Sequence, residues 1–198
     1  RTWVVVEWNV TGDVDHYEIY VDDTLVNGTV PATETSYNVT GLTDGSHNIT
    51  VVAVDTAGNT AWDNVIVIID TVAPSISIIR PSDGEVVGGQ SVAIEFSVSD
   101  DNFNESYLYI DGNLVGTYNE TYATYTWNTT EYSDGPHTIR VEAVDKAGNK
   151  ASREITVYVD NTPPTIEFIE PKDGDVVGGI VNITVNVTDD HLNVSILY

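Results

Sequence analysis

The stretch Asp44-Gly-Ser-His-Asn-Ile-Thr-Val-Val-Ala-Val-Asp-Thr-Ala-Gly-Asn59 decides the fold. It returns 90 residues later as Asp134-Gly-Pro-His-Thr-Ile-Arg-Val-Glu-Ala-Val-Asp-Lys-Ala-Gly-Asn149. Every second residue from the histidine onward is apolar, which is the period of a half-buried β-strand. Each copy starts with an Asp-Gly pair and ends with a Gly-Asn pair, which are typical of turns. The stretch therefore predicts one strand that is repeated along the chain.

A second pair of matching segments has the same offset and divides the chain into repeats. Pro81-Ser-Asp-Gly-Glu-Val-Val-Gly-Gly89 returns as Pro171-Lys-Asp-Gly-Asp-Val-Val-Gly-Gly179, again 90 residues later. We therefore expect the 198 residues to be a window on a longer tandem array, whose period does not coincide with the chain ends. The expected domains are 1–70, which lacks the first strand (the segment equivalent to 75–91), 71–160, which is complete, and 161–198, which is the N-terminal part of a third domain.

Short alternating segments occur throughout each repeat. Val4, Val6 and Trp8 share one face of a predicted strand, and the apolar residues of 181–187 share one face of another. About seven short strands per repeat, separated by turns at intervals of about 8–12 residues, are typical of an immunoglobulin-like sandwich. We therefore predict an all-β chain of tandem β-sandwiches, arranged as beads on a string.

The second repeat contains three motifs: Pro81-x-Asp-Gly-x-Val-x-Gly, Tyr109-Ile-Asp-Gly112 and Ala143-Val-Asp-Lys-Ala-Gly-Asn149. In these motifs it resembles the bacterial and archaeal Ig-like repeat families. The resemblance implies repeats that space, stiffen or display other domains on secreted and cell-surface proteins. Because these sandwiches serve many roles, it indicates the fold more strongly than the function.

The first repeat carries Trp8, then Tyr17-x-Ile-Tyr20, then Tyr37-Asn-Val-Thr-Gly-Leu42. In these residues it resembles the fibronectin type III variant of the sandwich. It departs from that family's pattern in two ways, since His47 stands where a tyrosine is usual and the first strand is missing.

The composition excludes several classes of protein. With 7 Lys and Arg against 31 Asp and Glu, the net charge is −24, so the chain would repel nucleic acid. It has no cysteine for disulfides, thiolate metal sites or thiol nucleophiles. No apolar run is long enough to span a membrane, and we expect no signal peptide in this stretch, because no charged segment precedes an apolar one.

The most informative chemical motif is Asn-x-Ser/Thr, the acceptor sequence for N-linked glycans. Ten of the sixteen asparagines carry it: Asn9, Asn27, Asn38, Asn48, Asn104, Asn119, Asn128, Asn182, Asn186 and Asn193. Such density without cysteine predicts an extracellular, cell-surface glycoprotein, and we expect an archaeal one.

The sequons also have a purely structural interpretation. Along a solvent-facing strand, Asn and a Thr two residues later point the same way, so a polar face alone enriches the motif. Against this, we expect six of the sequons to lie at turns or strand ends, where alternation does not operate: Asn27, Asn38, Asn104, Asn119, Asn128 and Asn193.

Acidic residues in loops predict calcium sites at the repeat junctions, as in the calcium-stiffened linkers of cadherins. Ca²⁺ takes six to eight oxygen ligands, and these loops supply carboxylate and amide oxygens. The candidate ligands are Asp70, Asp100, Asp101, Asp145 and Asn149 at the first junction, and Asp160, Asp189 and Asp190 at the second. The alternative is that aspartate simply favours turns.

No catalytic residues are predicted, and the chain is not expected to be an enzyme. His47 and His137 are repeat equivalents, so a packing or hydrogen-bonding role is favoured over catalysis. The adjacent acids Asp100 and Asp101 do not form the opposed pair that glycoside hydrolysis requires. Trp3 or Trp62 could serve as a platform for a sugar, whereas Trp8 and Trp127 are expected to pack.

The sequence as a whole predicts a structural, non-catalytic segment of an S-layer, sheath, filament or stalk. Its partners would be neighbouring copies or other surface proteins. It would carry N-linked glycans and bind calcium. Proline at 73–74 and 163–164 would stiffen the linkers between its domains. Two alternatives stay open, namely an adhesion or carbohydrate-binding module and the accessory stalk of a secreted hydrolase.

Overall fold

The computed structural model describes residues 2–192, and the regular secondary structure of this part of the chain is almost entirely β-strand. It divides into two compact units. The first contains residues 2–73 together with the hairpin tip 146–149, and the second contains residues 74–145 and 150–192. The all-β prediction is confirmed, while the expected boundaries at residues 70 and 160 stay predictions.

The first unit is a sandwich of a two-stranded and a four-stranded sheet. The smaller sheet pairs β1 with β4, and the larger has the order β3-β2-β5-β6. Its strands are β1 (Trp3–Glu7), β2 (His16–Val21), β3 (Thr24–Pro31), β4 (Ser36–Thr40), β5 (Gly45–Val54) and β6 (Thr60–Ile69). Both sheets contribute to one core, in which Val39 of β4 joins Tyr17, Ile19, Val30, Leu42, Ile49 and Ile69.

The second unit has a larger sandwich and an additional strand pair. Its sheets have the orders β11-β10-β13-β14-β8 and β12-β9-β7, and β15 pairs with β16. The strands are β7 (Ser75–Arg80), β8 (Val86–Val87), β9 (Val92–Ser99), β10 (Phe103–Ile110), β11 (Asn113–Tyr118), β12 (Tyr122–Trp127), β13 (Gly135–Asp145), β14 (Lys150–Val159), β15 (Thr165–Glu170) and β16 (Thr184–Thr188). The strand expected over 181–188 therefore begins only at Thr184.

The stretch that recurs in the sequence forms the central strand of each sandwich. In β13 every second side chain from His137 to Asp145 is buried, as the alternation predicted. Its hairpin partner β14 buries Ile155, Val157 and Val159 beside it. Strand β5 has the same place between β2 and β6 in the first unit.

A glycine allows a short edge strand to lie close to this hairpin. Strand β8 pairs parallel to the end of β14, and Gly88 follows it directly. A Cβ at Gly88 would lie 2.2 Å from the carbonyl oxygen of Asp160, so no larger residue fits without a backbone shift. Next to it, Gly89 donates its N–H to Asn161 Oδ1 at 3.1 Å.

Both tryptophans expected to pack do so. Trp127 is 1% exposed and its ring stands edge-on to Tyr132 at 5.2 Å. Trp8 follows the end of β1, is half-buried and contacts Tyr17, with ring centroids 4.9 Å apart.

Replacement of a core leucine should destabilise the second unit far more than replacement of a surface leucine in the same hairpin. Leu108 is fully buried on β10, whereas Leu114 on β11 is exposed. We expect Leu108→Ala to lower the free energy of unfolding by about 2–5 kcal/mol, because it removes apolar contacts and leaves a cavity. Urea denaturation followed by circular dichroism measures this change. Leu114→Ala is the control, and equal losses for the two variants would contradict this assignment of the core.

Candidate functional site

Most of the described sequon asparagines lie on the surface. Six side chains are exposed: Asn9, Asn38, Asn104, Asn119, Asn182 and Asn186. Asn27, Asn48 and Asn128 are half-buried, and Asn193 lies outside the described residues. The structure therefore leaves most acceptor amides accessible, while their occupancy stays a prediction.

Two of the six sequons expected at turns or strand ends lie inside strands instead. Asn27 is in the middle of β3 and Asn38 is in the middle of β4. Strand β3 continues through Asn27, with a register shift in its pairing with β2. Asn104, Asn119 and Asn128 lie at strand ends or in loops as expected. Only these three sequons therefore still argue that the motif is not simply a product of alternation on polar strand faces.

Asn128 already has a structural role. It caps a single 3₁₀ turn, Thr129–Glu131, and its Oδ1 accepts hydrogen bonds from the Thr130 hydroxyl (2.7 Å) and the Thr130 N–H (3.3 Å). Its Nδ2 donates to Glu131 Oε1 at 2.9 Å. The Asn-Thr-Thr sequence at this position is therefore explained in part by capping.

The candidate calcium ligands of the first junction belong to different units. Asp100, Asp101 and Asp145 are in the second, where carboxylate oxygens of Asp100 and Asp145 lie within 4.8 Å of each other. Asp145 is 2% exposed. Asp70 and Asn149 are in the first, where Asn149 Nδ2 donates to the Asp70 carbonyl at 3.1 Å.

The candidates of the second junction line one cleft within the second unit. This cleft of 390 Å³ contains Asp160, Asp189 and Asp190 together with Asp134 and His191. Several carboxylate oxygens already accept hydrogen bonds from the protein. Asp160 Oδ2 lies 2.9 Å from His191 Nδ1, and Asp189 Oδ1 accepts the His191 N–H at 2.8 Å. A cation here would compete with His191 for Asp160.

Asp134, which was not among the predicted ligands, is the most constrained carboxylate of this cleft. It accepts hydrogen bonds from the Thr162 hydroxyl and from the Asn161 N–H. These bonds, that of Thr162 first, hold the pKa of Asp134 below its ordinary value. The sequence signal for Asp134 was its recurrence, since Asp44 has the equivalent position before a glycine in the first repeat. Asp44 likewise accepts hydrogen bonds from the Thr71 N–H and hydroxyl.

A histidine–aspartate contact recurs at equivalent positions of the two units. His47 Nδ1 lies 2.7 Å from Asp22 Oδ2, and its Nε2 lies 2.9 Å from the Thr43 carbonyl. His137 Nδ1 lies 2.7 Å from Asp111 Oδ2, and its Nε2 lies 2.8 Å from the Ser133 carbonyl. Both partners of each ring are acceptors, so the ring donates both hydrogen bonds only in its protonated form.

The aspartates of these contacts also hold the adjacent strands. Asp22 Oδ1 accepts the Asn48 N–H at 2.8 Å, and Asp111 Oδ1 accepts the Thr138 N–H at 2.9 Å. Both lie in two-residue hairpin turns with positive φ, at 49° and 50°. The repeat equivalence of the histidines predicted a structural role for them but not their aspartate partners. The signal was the pair Tyr20-Val-Asp22 and Tyr109-Ile-Asp111, which recur together with the histidines.

The two remaining tryptophans are exposed. Trp62 is 69% exposed on β6, and Trp3 is 56% exposed on β1. Either ring is therefore accessible to a ligand. None of the helical structure in residues 2–192 has the length or apolar character needed to cross a bilayer.

Models of three related domain families each match a part of the chain. Residues 1–69 match the fibronectin type III domain, residues 74–141 the bacterial Ig domain, and residues 121–197 the bacterial Ig-like domain of group 3. No curated protein matches the sequence.

One solved structure supports the fold of this chain, and two others align with lower TM-scores. The fibronectin(III)-like modules of Clostridium thermocellum CbhA are 21% identical, with a TM-score of 0.50 over 80% of this chain and 86% of theirs. An endo-β-1,4-mannanase from Thermotoga petrophila is 22% identical, with a TM-score of 0.41 over 47% of this chain and 21% of its own. A Ca²⁺-stabilised, ice-binding adhesin of an Antarctic bacterium is 19% identical, with a TM-score of 0.36 over 85% and 48%.

The histidine–aspartate contacts should make stability depend on pH. Hydrogen bonds, to Asp22 first and then to Thr43, raise the pKa of His47 above about 6.5. Burial lowers the pKa of His137, but the bonds to Asp111 and Ser133 outweigh it, so this pKa is raised as well. A raised folded-state pKa stabilises below the unfolded value, and this stabilisation is lost as the pH rises through the folded-state pKa.

We therefore expect the melting temperature to fall as the pH is raised from about 6 to about 9. His137→Gln should make the melting temperature of the second unit less dependent on pH, since glutamine does not titrate. Scanning calorimetry across this range measures the slope. A slope that is identical in His137→Gln would show that the ring is not protonated in the folded state.

Proposed function

We propose that this chain, whose domains are bacterial Ig-like and fibronectin type III-like, is a non-catalytic structural segment of an extracellular, N-glycosylated tandem-repeat protein. Domains of these types are generally non-catalytic modules. The proposed setting is an S-layer, sheath, filament or stalk, where the sandwiches space or display neighbouring domains. The archaeal origin rests on sequon density and the missing cysteine, and it stays a prediction.

The observation that carries this proposal is the placement of the sequons. Exposed asparagines occur in both compact units, in loops and on outward strand faces. Glycans at these positions would cover strand faces and edges, which otherwise invite pairing with other chains. The net charge of −24 would also oppose pairing between chains, because it makes neighbouring copies repel each other in solution.

The alternative of a carbohydrate-binding or adhesive module is favoured by one observation. The indole of Trp62 is more exposed than any other tryptophan ring in the described residues. An exposed aromatic ring offers an apolar face on which a sugar could stack. The Tyr20 hydroxyl donates a hydrogen bond to Glu18 at 2.7 Å. These two residues are on β2, two strands away from Trp62 on β6 in the same sheet.

Glycopeptide mass spectrometry of the native protein tests the proposed function. We expect glycan at the exposed sequons Asn9, Asn38, Asn104 and Asn119, because their amides are accessible in the folded chain. Asparagines without a sequon, such as Asn113, serve as the internal control. Unmodified asparagine at all ten sequons would overturn the surface-glycoprotein proposal.

Calcium remains part of the proposal and has its own test. The closely spaced oxygens of Asp100 and Asp145 fit a hard cation better than the cleft of Asp160, where His191 competes. At a tenfold excess over a dissociation constant of about 10⁻³ M, calcium would stabilise by about 1.4 kcal/mol. We therefore expect the melting temperature to rise by several degrees in about 10 mM CaCl₂ relative to EDTA.

Asp100→Asn should remove most of this calcium-dependent rise, and MgCl₂ at the same concentration controls for ionic strength. A melting temperature that is equal in CaCl₂, MgCl₂ and EDTA would exclude a stabilising calcium site in this chain.

A further inference from the structure

One outer sheet face of the first unit is apolar where the equivalent face of the second is not. Ile66 and Ile68 on β6 are 67% and 65% exposed. Their equivalents 90 residues later on β14 are Thr156 and Tyr158. Both lie on the face of β6 that points away from the core. Exposed isoleucines on such a face are a liability for aggregation unless something covers them.

A glycosylation sequon lies directly beside these isoleucines. Asn48 on β5 is the cross-strand partner of Ile66, and directly opposed residues have Cβ atoms about 4.5–5.5 Å apart. Thr50, which completes the sequon, lies on the same face. In the second unit the equivalent pair is Thr138 opposite Thr156. The sequon and the isoleucines thus occur together in one unit and are both missing from the other.

The outer sheet face of the second unit carries charged side chains instead. Arg140, two residues after Thr138, lies 4.3 Å from the ring centroid of Tyr109. It also pairs with Glu142 and lies 3.8 Å from Glu154. This outer face is therefore filled by a charged cluster that is stable in water.

The amide of Asn48 is oriented by its neighbour. Asn64 Nδ2 donates to Asn48 Oδ1 at 2.7 Å, which holds the carbonyl end of the side chain. Asn48 Nδ2, the atom that carries an N-linked glycan, makes no hydrogen bond within residues 2–192. The contact therefore leaves the acceptor atom available on the apolar face.

We propose that an N-glycan on Asn48 packs its first sugars over Ile66 and Ile68 and so covers this apolar part of the outer sheet face of the first unit. This inference rests on the proposed function, since it needs the sequon to be occupied. Attachment joins Nδ2 to the anomeric carbon of a lipid-phosphate-activated sugar. The bond from that carbon to the phosphate oxygen breaks, the phosphate leaves with the electron pair, and Nδ2 loses one proton.

Sugar suits this face for two reasons. One side of a pyranose ring presents mainly C–H groups, which pack on aliphatic side chains, while its hydroxyls stay in water. A covalently tethered sugar also has a high effective concentration at the patch, so weak contacts suffice to hold it there.

The experiment is a double-mutant cycle on the full chain, produced in a host that glycosylates Asn-x-Ser/Thr. Thr50→Val removes the sequon but keeps the bond between Asn48 and Asn64, and Asn48→Gln serves as the second variant. Each is made in the native background and in an Ile66→Thr/Ile68→Thr background, which resembles the second unit. Asn27→Gln, at the opposite edge of the same sheet, is the matched control.

We expect loss of the Asn48 glycan to lower the melting temperature by about 4 °C and to increase binding of a hydrophobic dye when the isoleucines are present. Both effects should be small in the threonine background and in Asn27→Gln. Equal effects in the two backgrounds would overturn the packing inference. Mass spectrometry that finds Asn48 bare while other sequons are occupied would overturn it also, and bare asparagine at every sequon would overturn the proposed function.

Discussion

The alternation of side chains along the central strand is the constraint on which the rest of each sandwich depends. In β13 the inward row begins with His137 and ends with Asp145, and between them lie only apolar side chains. A shift of one residue would place Thr138, Arg140 and Glu142 in the core, so the register is strongly specified. The turns before and after this strand carry the Asp-Gly and Gly-Asn pairs, and they fix where its neighbours begin.

The sequence could predict this strand because its signal is local and repeated. The period of two, the turn pairs and the 90-residue offset are all visible without a structure, and they gave the all-β class and the packing role of Trp127. Positions with a weaker local signal were less predictable. Asn27 was expected at a turn or strand end, yet it lies in the middle of strand β3, because pairing with β2 extends the strand past it.

Contacts between distant residues could not be derived in this way. Asp22 and His47 are 25 residues apart, and only the closure of the sheet brings them to 2.7 Å. The closure of the fold likewise brings His191 to Asp160. A cation at the second predicted site would therefore compete with His191 for the Asp160 carboxylate. Sequence reasoning identified these residue types, but their hydrogen-bond partners depend on strand order and turn geometry.

The missing cysteines have a mechanical consequence for sandwiches of this kind. From Ser75 to Val159 the second sandwich spans 85 residues, and no crosslink shortens the path between its ends. At about 3.4 Å per extended residue, its contour length is roughly 290 Å. A sandwich that is pulled open under load would release nearly all of this length before its backbone is taut. An array of such repeats can therefore lengthen one domain at a time, and each domain that refolds restores the original spacing.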